Sequence, residues 1–124
     1  MKLRSFLTIA AVVGFVYALG LLLVPAYMAT MYGLGTSASE ILLARLFGGT
    51  LLVVALIQWL SRDFTGATIR PVIVSSLVGE IVGLIVALLG TLAGTMNSFG
   101  WSAVVIYLVI GAGFAYYQFM GAPT

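Results

Sequence analysis

Neither cysteine nor histidine occurs among the 124 residues. Without cysteine there is no disulfide framework, no thiolate nucleophile and no sulfur-based metal site. Without histidine the commonest general base and transition-metal ligand is missing too. Charge is almost as scarce, with five basic and three acidic side chains making 6% of the chain, against about 25% in soluble domains. So few charges cannot cover the exterior of a water-soluble fold. The net charge of +2 is not gathered into the patch or stripe of a nucleic-acid binder, so no nucleic-acid partner is expected. No Walker loop, dinucleotide fingerprint, zinc signature or nucleophile elbow is present. The chain therefore reads as non-enzymatic, with no cofactor and no metal.

Apolar residues fill the space that charge leaves. They make up 63% of the chain, where soluble domains carry roughly 45–50%. The length suits one domain, residues 1–124, and its solvent must be the lipid bilayer. A spanning helix needs about 20 mostly apolar residues, and four segments qualify: about 6–28, 39–60, 71–94 and 99–120. The basic start Lys2–Arg4 resembles a secretory leader, but the apolar run behind it is too long for one. A cut after Ala29 would also put Tyr27 where a small residue is preferred. Pro25 should bend or fray the far end of the first helix. Ser37-Ala38-Ser39-Glu40 has the form of a capping box opening the second helix, and Pro71 suits the first turn of the third. Trp59 and the run Tyr116-Tyr117-Gln118 fit membrane interfaces, and Gln58 is read the same way. Asp63 should be a salt-bridge partner in the 61–70 loop, beside Arg62. The fold expected is all-α and polytopic, an antiparallel up-down bundle of four transmembrane helices.

Basic residues orient it. Lys2, Arg4, Arg62 and Arg70 all fall on one side, and the opposite loops, 29–39 and 95–98, have none. The positive-inside rule then puts both termini in the cytoplasm of a multi-pass cell-membrane protein, the inner membrane of a bacterium. A bias this complete argues against insertion in both directions.

Helices in lipid associate by close backbone approach, which favours small residues. Ala10, Gly14 and Ala18 supply such a row in the first helix, Ala44, Gly48 and Ala55 in the second, and Ala103, Gly111 and Ala115 in the fourth. The third is richest: Ser76, Gly79, Gly83, Ala87, Gly90 and Gly94 recur at three- and four-residue steps. This is the expected helix-packing seam, against this chain or another protein.

Two ionisable residues, Arg45 and Glu80, fall inside the hydrocarbon. At a helix centre each costs about 2.5–3.5 kcal/mol or more on insertion scales. At 1.5 Å per residue Arg45 lies about 7–8 Å below the outer surface and Glu80 about 13–14 Å from the inner one. In a core about 30 Å thick their levels differ by roughly 9 Å, a gap two reaching side chains could close. An intramembrane Arg45–Glu80 ion pair is therefore the leading expectation. Alternatives stay open: Arg45 snorkelling to Glu40 or lipid phosphate, and a protonated Glu80 bonded to Ser76, Thr50 or Tyr107. Glu80 as a proton or cation site is a further one.

Small multidrug transporters match the length but depend on a carboxylate in the first helix, where this chain has none. Fluoride channels share a stretch like Gly49–Val53, then need an Asn where this chain has Val54. Pro25 followed by Tyr32-Gly33, then Ala44-Arg45-Leu46-Phe47-Gly48-Gly49, Trp59 and the Gly-rich third helix resemble uncharacterised four-helix bacterial membrane proteins of the DoxX-like group. That resemblance implies a four-helix membrane fold and, in some members, an accessory subunit of a membrane oxidoreductase. No residue here carries a redox role across. The function expected is an accessory or assembly subunit of a larger membrane complex, its partner another membrane protein or a second copy. A small transporter or ion-conducting homo-oligomer, with Glu80 as coupling site, is the alternative.

Overall fold

A computed structural model describes residues 1–121. The elements run α1 (Leu3–Leu23), α2 (Pro25–Met31), α3 (Ala38–Leu60), a single 3-10 turn (Gly66–Thr68), α4 (Arg70–Leu92) and α5 (Gly100–Phe119). Four of the helices, α1, α3, α4 and α5, are long and apolar enough to cross a bilayer. Lipid offers the backbone no hydrogen-bonding partner, so each crossing must satisfy its own N–H and C=O groups, as a helix does.

The boundaries differ from expectation in two places. The first crossing helix does not continue to Met28. It stops at Leu23, Val24 leaves the helical region (φ −134°, ψ 56°), and Pro25 opens the separate α2. Proline has no N–H to continue the ladder and its ring clashes with the preceding turn, so the expected bend becomes a break. The third crossing ends at Leu92 rather than at Gly94, which takes φ +77° beyond the helix. A positive φ suits glycine at a helix end, and here the Gly94 N–H donates to the Thr91 carbonyl. The capping box is present as read: the Glu40 N–H donates to the Ser37 Oγ, and the Ser37 N–H donates back to the Glu40 carboxylate.

The bundle is two tight antiparallel pairs, α1 with α3 and α4 with α5, which touch each other more sparsely along α1–α5 and α3–α4. Small residues bring the partners together. Gly14 faces Ala55, where an added Cβ would stand 3.0 Å from the alanine methyl, and Gly48 faces Leu21, Leu22 and the backbone of Ala18. In the second pair Gly83 admits the Tyr107 ring and Gly111 lies against Glu80.

The two pairs are stitched at both ends. Where the N-terminus, the 61–69 link and the end of α5 meet, Leu3, Leu7, Ala10, Ile69, Ile73, Phe114 and Tyr117 form a buried cluster. Phe6 lies edge-on to Phe114 with centroids 4.9 Å apart and fills the space over Gly113. Around this cluster Arg70 donates to the Gln118 carbonyl and side chain at 2.9 and 3.0 Å, and Tyr117 donates to the Met1 carbonyl. Arg4 pairs with Asp63 at 2.5 Å, while Arg62 stacks over Trp59 instead of holding that aspartate in a hydrogen bond. At the opposite end the Asn97 N–H donates to the Tyr32 carbonyl and its side-chain amide to that of Met31. Gln58 is not interfacial. It is buried, and its amide donates to Ser76 Oγ at 3.3 Å, bridging α3 and α4. Between these ties large apolar side chains such as Leu43, Val78, Val86 and Val109 stay exposed, as lipid contact requires.

Gly83→Ala should therefore destabilise the protein in detergent by about 1–3 kcal/mol, the usual cost of overpacking. Gly79, with nothing within 4 Å of an added Cβ, should tolerate alanine within about 0.5 kcal/mol. Thermal unfolding of both variants checks this, and equal losses would contradict the packing. A second expectation concerns pH. The hydrogen bond from Arg4 holds the Asp63 carboxyl below the usual carboxylate range. A depressed folded pKa means that the tie is present above the unfolded pKa and lost as pH falls through the folded one. A spin label at Ser5 should keep its neutral-pH mobility down to acid, then loosen below the ordinary Asp range, and in Asp63→Asn it should be loose throughout.

Candidate intramembrane polar sites

The structure does not make the Arg45–Glu80 ion pair. Arg4–Asp63 is the one salt bridge among the described residues. At about 100° per residue, Arg45 lies about 140° around α3 from Gln58, the side chain that meets α4. Direction works against the pair as well. Side chains tilt toward the N-terminus of their helix, and α3 and α4 start at opposite ends of the bundle, so Arg45 and Glu80 lean apart. Depth alone allows the pair, and rotation about the helix axis excludes it.

Glu80 is half-buried on α4, with its Cβ 3.2 Å from where a Cβ on Gly111 would stand. It lines an open groove of about 220 Å³ between α4 and α5, with Leu77, Ile81, Leu84, Leu108, Ala112 and Ala115. Leu108 is nine residues from Tyr117, about 180° around α5. Tyr117 joins the cluster built with α1, so the groove opens on the far side of the α4–α5 pair, toward lipid. Ser76 and Thr50, two partners open for Glu80 in the sequence, are engaged elsewhere: Ser76 accepts from Gln58, and Thr50 donates to the Leu46 carbonyl at 3.1 Å. Among the described residues no ion pair reaches the Glu80 carboxyl.

Tyr107 connects this groove to the interior. Its ring lies against Gly83, and it shares the groove with Glu80. Separately, Tyr32 shares a hydrogen bond of 2.9 Å with Tyr17 across the α1–α2 break. These two tyrosines line a second cleft of about 220 Å³ with Val16, Met28 and Met31. Tyr17 and Tyr32 are far apart in the sequence and carry no motif that pairs them. The Pro25 break brings Tyr32 back over α1, and Pro25 was the signal from which the pairing could have been read.

The seam residues divide. Ser76 and Ala87 are buried, Gly83 holds Tyr107, and Gly90 approaches Met96, where an added Cβ would stand 3.4 Å from its methyl. These four turn into the chain. Gly79 is exposed with open space around it, and Gly94 ends the helix. Arg45 is exposed on α3, beside exposed Leu42 and Leu46. Compared with known proteins, the chain matches no family model, no curated protein and no solved structure.

Arg45 and Glu80 share no partner and occupy opposite faces, so Arg45→Ala and Glu80→Gln should change stability additively, within about 0.3–0.5 kcal/mol. A double-mutant cycle in detergent that gives larger coupling would restore a direct contact.

Proposed function

We propose that this is a non-enzymatic accessory or assembly subunit of a larger membrane complex, and that the α4–α5 groove receives a transmembrane helix of the partner. One observation carries the reading: Glu80 looks sideways into a groove open to lipid, with no cation from its own chain beside it. A lone carboxyl facing hydrocarbon is expensive. A partner helix that places an amide, hydroxyl or ammonium donor against it removes that cost and gains specificity. Gly111, Ala112 and Ala115 leave room in the groove for close backbone approach. The DoxX-like features of the sequence agree with a subunit role. By the positive-inside rule the end carrying Lys2, Arg4, Arg62 and Arg70 faces the cytoplasm, in a bacterial inner membrane.

The groove shared by Glu80 and Tyr107, and the hydrogen-bonded pair Tyr17–Tyr32, favour a second reading, in which a homo-oligomer moves protons or a small cation and Glu80 is the coupling site. Its weakness is that the carboxyl opens toward lipid.

A photo-crosslinking residue at Ala112, in native membranes, separates the two. A subunit should give one discrete heavy adduct with another membrane protein, and Glu80→Ala should reduce its yield several-fold. Adducts with lipid alone, together with liposome proton flux lost in Glu80→Gln, would overturn the subunit reading in favour of the transporter.

A further inference from the structure

Among the described residues Arg45 has no counter-charge, and the chain has no carboxylate side chain left to supply one. There are three acidic residues in all. Glu40 is held by Ser37 in the capping box and lies about 140° around α3 from Arg45. Asp63 is bound to Arg4 near the opposite end of the bundle, and Glu80 lines the groove on the other side of the molecule. The counter-ion must come from outside the protein.

Position says from where. Arg45 is seven residues into α3, about 10 Å from the helix start, and its side chain leans toward that start. A long arginine stem lies along apolar surface with its head carried to the interface, where the phosphates of phospholipids sit. Beneath it the surface of α3 is open at Gly49. Arg45, Gly49, Leu52 and Leu56 fall at steps of four, three and four, on one stripe of the helix. An added Cβ on Gly49 would meet nothing within 4 Å, and Leu56 is exposed below it. The stripe is turned away from α4, Leu52 in its middle is half-buried, and Arg45 and Leu56 at its ends are exposed.

We propose that Arg45 and the Gly49 notch form a phospholipid site: the guanidinium holds the headgroup phosphate, and an acyl chain runs over Gly49 toward Leu56. Arginine suits the task because its planar fork donates two hydrogen bonds to one phosphate. The site is independent of the partner groove, which lies on the opposite face and uses a charge of the other sign.

Native mass spectrometry of the full chain in dodecyl maltoside, titrated with phosphatidylglycerol, tests it. Wild type should retain one tightly held phosphatidylglycerol and should not retain diacylglycerol with the same tails. Arg45→Leu removes a charge that lipid disfavours, so it should fold with unchanged helix content and bind phosphatidylglycerol at least about tenfold more weakly, the scale of a charge-assisted bond. Arg45→Lys, which keeps the charge without the fork, should fall between. Gly49→Leu should weaken binding with Arg45 intact, because it fills the notch. Unchanged binding in Arg45→Leu, equal retention of diacylglycerol, or displacement of the lipid by equimolar inorganic phosphate would each overturn the proposal.

Discussion

Lipid as solvent is the constraint on which the rest of the structure depends. In water an apolar face drives two helices together, whereas in a bilayer the same face is as content against acyl chains. What holds the helices is therefore short-range: backbone brought near backbone at Gly14 and Gly48, a ring laid over Gly83 or Gly113, and polar contacts such as Gln58–Ser76. Each needs a particular residue at a particular angle around its helix. That is why a chain whose outer surface is nearly uniform in chemistry can still have definite neighbours.

Polar groups inside this fold gain meaning from the same constraint. A polar group in hydrocarbon needs a partner, and most here have one: Gln58 with Ser76, Tyr17 with Tyr32, Thr50 with its own backbone. Arg45 and Glu80 differ because each turns outward on a different face, and what satisfies them lies beyond the chain. In the roles proposed above one residue serves a protein partner and the other a headgroup, which would give the molecule two unlike sides.

Four crossings, their antiparallel order, the Ser37–Glu40 cap and the disturbance at Pro25 were all legible in the sequence, because each rests on local chemistry or on length. The azimuth of a side chain was not. Ser76, Gly79 and Gly83 look equivalent along a string of letters, yet one carries a hydrogen bond, one faces open space and one cradles a ring. The Arg45–Glu80 expectation failed for this reason, since depth can be counted from residue numbers and rotation relative to a neighbour cannot. Gln58 was misplaced similarly: near a helix end it resembled an interfacial amide, and only the approach of α4 makes it interior.

The division into two close pairs with sparse contact between them bears on how the molecule is made. Each pair is contiguous in the chain, since α1 and α3 precede α4 and α5, and most tight contacts lie within a pair. The first half can leave the insertion machinery as a settled unit before the second is synthesised. The halves are then joined by clasps at the two rims, Tyr117–Met1 at one and Asn97–Tyr32 at the other. An arrangement of this kind would let the halves rock against each other about those rims without either having to come apart.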